Sequence, residues 1–247
     1  MNYRSRAIIL KTIDYRDADK LVTLFSEKQG KIRAIARGVK KPASSLRVCL
    51  QPFCHSQLYL SGGKELENVS QGKLLDFFPN IREDIDLTLQ VLYMMELLDK
   101  SLMDRMPLPP LYSVTLEVLE YLNIHGYNPL VIRYFEACLL KYLGYQPLLD
   151  RCVNCGSSKG KLQSFNLLQG GMICPECSAF QTGDFAISGE SLAILRMINS
   201  SDINTVHRLK ASEGALKNLE FILEKYLEYH LERRFNMKRT IRMLKHW

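Results

Sequence analysis

Between Lys28 and Lys64 the 247-residue sequence has no aspartate and no glutamate. Eight cations fall in that stretch: Lys28, Lys31, Arg33, Arg37, Lys40, Lys41, Arg47 and Lys64. A solvated surface ordinarily mixes its signs, so an unbroken positive run sets up a field that attracts polyanions. Other absences narrow the classes further. No stretch reaches the ~20 consecutive apolar residues that cross a bilayer, so no membrane partner is expected. The apolar run behind the basic start extends only from Ala7 to Leu10, too short for a signal-peptide core, and a cytoplasmic protein is expected. There is no Gly-x4-Gly-Lys-Ser/Thr loop, no dinucleotide fingerprint and no paired-acid motif of nuclease type. His55, His125, His207, His230 and His246 are scattered, with no nucleophile or carboxylate pattern around any of them. A binding protein is favoured over an enzyme, and no catalytic residue is assigned.

The charge is unevenly placed. Residues 1–80 hold 14 cations and 7 acids, whereas residues 81–247 hold 19 of each. The whole excess of +7 therefore sits in the first third of the chain, which suggests one part that grips a polyanion and another with a different task. With 47% hydrophobic and 24% charged residues, the chain has ample material for a core.

Apolar and β-branched runs at Ala7–Ile13, Leu21–Phe25, Ile32–Ile35, Phe53–Leu60 and Val69–Phe78 are separated by turn-forming stretches. Five short strands in about 75 residues predict an OB-fold barrel over residues 1–80, with an SH3-like barrel as the alternative. In the third strand, alternation turns Ile32, Ala34 and Ala36 inward and Lys31, Arg33, Ile35 and Arg37 outward. It leads into a cationic loop, Gly38 to Ser45, whose composition suggests mobility. Tyr15, Phe53 and Tyr59 are candidates to stack on bases or to fill the barrel.

Beyond Pro79 the spacing becomes helical. Helices are expected at Ile81–Asp104, Leu111–His125, Asn128–Leu143, Gly189–Asn199 and Ser212–Phe235, with Gly126 and Gly144 as C-caps. Met94 and Met95 fit helix packing. The fold class is thus α+β: the barrel of residues 1–80, then a helical domain over 81–247 with a cysteine segment, 148–180, inserted in it. The end of the chain is basic: Arg233, Arg234, Lys238, Arg239, Arg242 and Lys245 follow Glu232 without another acid. Both a solvated helix face and a phosphate or partner site suit it.

Seven cysteines, an odd number, suit a reducing compartment. Cys152-x2-Cys155 and Cys174-x2-Cys177 are separated by 18 residues, the spacing of a four-thiolate zinc site. Each knuckle turns two thiolates toward one point, and a hairpin of Leu162–Leu167 with Met172–Cys174 would bring the knuckles together. Four sulfur ligands leave no open position, so the zinc is structural rather than catalytic. A redox pair or free thiols is the alternative. Cys49, Cys54 and Cys138 read as buried spectators.

The motifs Ala7-Ile-Ile-Leu-Lys11, Asp17-Ala-Asp-Lys-Leu-Val-Thr-Leu-Phe25, Gly30-Lys31, Ala36-Arg-Gly-Val-Lys-Lys41 and Leu50-Gln-Pro-Phe53 resemble the N-terminal half of bacterial RecO proteins. Leu143-Gly-Tyr-Gln-Pro147, Asp150-Arg-Cys152 and Gly170-Gly171 before Cys174 resemble the approach to that family's zinc segment. The order of these motifs, rather than any one of them, is specific, and the last 45 or so residues match only in being helical. The resemblance implies a recombination mediator in DNA repair, associated with the nucleoid. Such a protein binds single- and double-stranded DNA and anneals complementary strands. It acts with RecR, contacts the C-terminal tail of single-stranded DNA-binding protein (SSB), and helps RecA load onto coated strands. Lys31, Arg33, Arg37, Lys40, Lys41 and Arg47 are expected to contact phosphates. The rival classes are an RNA-binding zinc protein with the same barrel, a nucleic-acid enzyme with no recognisable motif, and a pure protein scaffold.

Overall fold

The computed structural model describes residues 2–63, 66–158, 162–178 and 183–245. Lys64 and His246 lie outside the described residues, as does part of the cysteine segment. Five strands close into a barrel in the order β1-β2-β3-β5-β4. They are β1 (Asn2–Tyr15), β2 (Asp19–Ser26), β3 (Gly30–Ala36), β4 (His55–Ser61) and β5 (Glu67–Asp76). Neighbours pair antiparallel except β3 and β5, which run parallel over Ala34–Ala36. This connectivity is that of an OB-fold, and it sets aside the SH3-like alternative.

β1 is much longer than its apolar run because it serves two partners. Asn2 to Ile8 pair with β4, and Ala7 to Tyr15 pair with β2. The register slips between Ile9 and Lys11. A bulge there adds one residue and reverses the alternation. Arg4 and Arg6 are exposed before it, Lys11 and Ile13 after it. The interior is filled by Ala7, Ile9, Val22, Leu24, Ile32, Ala34, Ala36, Leu58, Leu60 and Val69. The expected inward row of the third strand, Ile32, Ala34 and Ala36, is in that core. A short helix, α1 (Leu46–Cys49), lies in the connection from β3 to β4 and adds Leu46, Cys49 and the following Leu50 to the core.

The helices that follow are α2 (Pro79–Glu83), α3 (Ile85–Ser101) and α4 (Pro109–His125). The single helix expected over Ile81–Asp104 is two. Asp84 is extended and its carboxylate accepts from the Leu87 amide, which caps α3. At the other end the chain leaves the helix at Leu102, and the Arg105 amide donates to the Lys31 carbonyl at 2.9 Å. Gly30 makes this approach feasible. A Cβ there would sit 2.1 Å from the Met106 carbonyl oxygen, and its φ of +69° is one that other residues avoid.

One band of the barrel's outside is covered by these helices. The cross-strand row Lys31, Phe25, Ile8 and His55 lies under them. Tyr112 of α4 meets Phe25 edge-on at 5.5 Å and hydrogen-bonds His55 at 3.0 Å. Burial of Phe25 and Ile8 here is worth roughly 1.5–3 kcal/mol each. A last helix, α10 (Asn236–Lys245), also belongs to this part of the chain. The Glu96 carboxylate on α3 accepts from the amides of Asn236 and Met237, and Phe235 meets Tyr93 edge-on at 6.3 Å.

The chain forms two compact units. One comprises Met1–Tyr127 with Phe235–Trp247, the other Asn128–Arg234. The division expected at residue 80 therefore does not coincide with the packing, since α2, α3, α4 and α10 group with the barrel. The helix expected over Ser212–Phe235 stops at Leu231, where Glu232 takes a left-handed φ of 50°. Glu232, Arg233 and Arg234 offer no apolar side chain to continue the buried stripe.

The second unit contains α5 (Pro129–Tyr142), α6 (Pro175–Ser178), α7 (Gly189–Ser200), α8 (Ile203–Val206) and α9 (Glu213–Leu231). Its small sheet, in the order β7-β6-β8, has β6 (Ser164–Asn166), β7 (Gly171–Ile173) and β8 (Asp184–Ala186). The β6–β7 pair is the expected hairpin; β8, which completes the sheet, has only the short apolar run Phe185-Ala186-Ile187 to announce it. Helix α5 is buried from Leu130 to Leu140 and includes an Arg133–Glu136 ion pair at 3.2 Å. The sheet leans on α9 through Phe165–Tyr226 and Phe185–Phe221, each at 5.2 Å between ring centres.

Candidate nucleic-acid interface and metal centre

Outside the covered band, strands β1, β2 and β3 present two parallel rows. Lys11, Thr23 and Arg33 stand opposite one another in the first, and Ile13, Leu21 and Ile35 in the second. A cation row beside a partly exposed apolar row suits a strand whose phosphates and bases lie side by side. A cleft of about 260 Å³ runs along it, bounded by Lys11, Ile13, Leu21, Thr23, Arg33 and Asp99. A second cleft, about 280 Å³, is lined by Lys20, Lys40 and Arg47 together with Thr12, Asp14 and Gln51.

The six cations picked from sequence do not share one situation. Lys40 and Arg47 line the second cleft, and Arg37 and Lys41 are exposed on the same connection. Among the described residues no acid pairs with Arg37, Lys41 or Arg47. Arg33 is 62% exposed and 3.8 Å from Asp104. Lys31 is a correction. The strand does turn it outward, but the segment after α3 covers it. Its ammonium donates to the Asp99 carbonyl at 2.8 Å and pairs with Asp104 at 3.3 Å, leaving the residue 7% exposed. A phosphate cannot reach it without opening that packing.

The connection carrying these cations is also more ordered in its bonding than its composition suggests. The Lys40 amide donates to the Ala18 carbonyl at 3.0 Å, and the Gly38 amide to the Asp19 carboxylate at 2.8 Å. Both bonds tie the loop to the β1–β2 turn. Lys40 pairs with Asp14 at 2.9 Å, and its hydrogen bond holds that carboxyl below the usual carboxylate range. Of the three aromatic candidates, Phe53 is buried with the Arg82 guanidinium 3.9 Å over its ring, so it is unavailable for stacking. Tyr15 is partly exposed beside Arg16, and Tyr59 is 42% exposed on β4. The basic end is divided too: Lys238 is buried against the Tyr93 ring at 4.7 Å, whereas Arg233, Arg234, Arg239 and Arg242 are exposed.

Lys11 and Lys20 were not singled out from sequence, because each sits in a stretch of mixed sign. Their signal is register: the bulge in β1 sends Lys11 to the face of Arg33, and the loop bonds bring Lys40 beside Lys20. Neither is visible in a charge count.

The four cysteines of the second unit converge. The sulfurs of Cys152, Cys155, Cys174 and Cys177 all lie within 4.8 Å of one another. Gly156, at φ +71°, reverses the first knuckle so that its amide donates to the Cys152 carbonyl at 2.9 Å. In the second knuckle the amides of Cys177 and Ser178 both donate to the Cys174 carbonyl. Ligands ~2.3 Å from a tetrahedral ion stand about 3.8 Å apart. Cys155 and Cys174 are separated by 3.8 Å, far beyond a disulfide bond. The geometry and donor set fit a soft divalent cation. Burial opposes ionisation of Cys152, but backbone amides of Cys155, Cys174 and Asn154 converge on its sulfur and draw it down to about 6. For Cys177 the Asn154 side chain favours the thiolate, yet the crowding thiols, Cys174 foremost, push it up to about 12.

Comparison with known proteins gives a consistent result along the whole chain. Residues 1–78 match the family model "Recombination protein O N terminal", and residues 82–239 match "Recombination protein O C terminal". A protein of Syntrophomonas wolfei named DNA repair protein RecO is 55% identical over 245 residues, covering 99% of this chain and 98% of that one. Proteins of the same name from Desulforamulus reducens and Bacillus pumilus are 34% and 30% identical, covering 94% and 92% of this chain and 91% and 89% of their own.

Proposed function

The chain belongs to the RecO family of DNA repair proteins, and from that premise we propose that it is a recombination mediator that binds DNA through the barrel. Arg33, Arg37, Lys40, Lys41 and Arg47, joined by Lys11 and Lys20, contact phosphates of single- and double-stranded DNA. Such contacts fix a strand without reading its bases, as a protein acting at any lesion requires. The observation that carries this reading is the cluster on one side of the barrel, where Lys20, Lys40 and Arg47 share a cleft and Arg37 and Lys41 lie on the same connection.

Annealing follows from the same charges. Two strands repel each other until cations neutralise part of their phosphate charge; pairing and stacking then drive the reaction. No nucleotide hydrolysis or catalytic group is needed. The partners we assign are RecR, the C-terminal tail of SSB, and RecA indirectly, through loading on SSB-coated strands in the cytoplasm, at the nucleoid. In the second unit Cys152, Cys155, Cys174 and Cys177 would hold a structural zinc. The ion would staple the two knuckles, around which Cys152, Ile173 and Cys174 form a small buried cluster with partly buried neighbours.

The test is annealing of complementary strands precoated with SSB, with and without ATP, in parallel with competition between single-stranded DNA and RNA of one sequence. The proposal expects ATP-independent annealing and no preference for RNA. Cleavage of the DNA on adding divalent metal, or strong RNA preference, would overturn it.

A further inference from the structure

Lys11 and Arg33 lie on the flank of the covered band formed by β1, β2 and β3. The barrel has a second open flank, on β1, β4 and β5. Two rows cross it: Arg6, Gln57 and Lys73 stand opposite one another, as do Arg4, Tyr59 and Gln71. Arg4, Arg6, Tyr59, Gln71 and Lys73 are exposed. The bulge in β1 produces the division. Its first half turns Arg4 and Arg6 to this flank, and its second half turns Lys11 to the other. Between the flanks, Ile8, Phe25 and Lys31 are buried under α3 and α4, and His55 is half-buried against Tyr112.

We infer that this second flank is a separate binding surface for single-stranded nucleic acid, so that one barrel holds two strands at once. Three observations choose that occupant. The first is charge: Arg4, Lys28 and Lys73 face it with no acid paired to them among the described residues, while Arg6 and Glu27 offset each other in a two-pronged pair at 3.0 and 3.1 Å. The second is Tyr59, an aromatic ring exposed at the middle of a strand row with Arg4 on one side and Gln71 on the other. A base stacks on such a ring while its phosphates meet flanking cations, and adjacent strands ~4.8 Å apart hold these groups within one nucleotide's reach. The third is shape: a cleft of about 410 Å³ runs beside the rows, lined by Arg4, Arg6, Glu27, Lys28, Gln57 and Leu75. Duplex DNA would offer its phosphates but no unstacked base for Tyr59.

The inference rests on the proposed DNA binding and deepens it, because annealing is faster when one protein carries both strands. The two flanks are chemically unequal. The first couples cations with an aliphatic row, the second with an aromatic ring.

The test uses the full chain and two non-complementary oligonucleotides with different fluorescent labels. Titration of the wild type should give two oligonucleotides per chain, and a complex carrying both labels. The variant with Arg4→Ala, Tyr59→Ala and Lys73→Ala should bind one, with first-site affinity within about twofold of wild type and second-site affinity lower by tenfold or more. Its annealing rate should fall with it. Oligonucleotides carrying 5-iodouracil, irradiated with unaltered protein, should crosslink to Tyr59, a readout that no folding defect can mimic. Wild-type saturation at one oligonucleotide per chain, absence of Tyr59 from the crosslinks, or a variant that still binds two would overturn the inference while leaving the first site intact. Failure of the wild type to bind any oligonucleotide would instead remove the proposed function itself.

Discussion

Lys31 and Arg33 are two residues apart on one strand face, yet their chemistry differs. Arg33 keeps most of its side chain in water, whereas the Lys31 ammonium is committed to the Asp99 carbonyl and to Asp104. Lys31→Ala should therefore act on stability. Loss of a charged hydrogen bond costs about 1.5–3 kcal/mol, which urea unfolding will read, while the salt dependence of DNA binding stays as in the wild type. A flattened salt dependence with unchanged stability would place Lys31 among the phosphate contacts after all. His55 supplies a second residue-scale expectation. Burial lowers its pKa, with Arg6 adding to the effect and Asp76 and Glu27 opposing it; burial lowers that of His230 too. Both imidazoles are favoured neutral in the fold. Their contribution is complete above the unfolded value of ~6.5 and is lost as pH falls from there through the folded values. The melting temperature should drop between pH 7 and pH 5, and His55→Gln should lessen that drop. An equal drop in the variant would show that His55 is not responsible.

At the scale of elements, what was legible in the sequence depended on whether one segment sufficed to show it. The inward row Ile32, Ala34 and Ala36, the C-cap Gly126, the left-handed Gly144 one residue past the Leu143 cap, and the convergence of four cysteines each follow from local spacing. The bulge in β1, the extended Asp84 that splits one helix into two, and the cover over Lys31 depend on distant partners. Alternation continues through a bulge on paper, so Lys11 could not be assigned its face. Strand β8 is three residues long and takes its definition from β6. The cysteine segment makes an element-scale prediction. Structural zinc binding is worth on the order of 10 kcal/mol to a small module, so removing the metal should unfold the segment rather than loosen it. We expect about one zinc per chain by elemental analysis, none in Cys155→Ser, and fast amide exchange at Cys152–Ser157 and Gly171–Ser178 after chelation. Oligonucleotide binding by the barrel should be unchanged. Metal-free protein with slow exchange there would contradict the assignment.

For the whole molecule, the decisive quantity is where the charge lies. All of the +7 excess is in residues 1–80, and the rest of the chain is balanced. The structure qualifies that count. It removes Lys31 from the accessible set, adds Lys11 and Lys20, and puts helices between two open flanks. It also places α10 with the barrel's unit, so that a family boundary near residue 80 and a packing boundary at residue 127 coexist in one chain. Sequence similarity follows inheritance of segments, whereas packing follows which apolar faces meet, as Phe235 meets Tyr93. The most direct test of the account is the salt dependence of single-stranded DNA binding. Four phosphate contacts give a log–log slope of about −3 on single strands. Binding by the wild type should steepen at least to that value, and replacement of Arg33, Arg37, Lys41 and Arg47 by alanine should reduce the slope by about 3. An unchanged slope in the variant would mean that these four cations do not hold DNA.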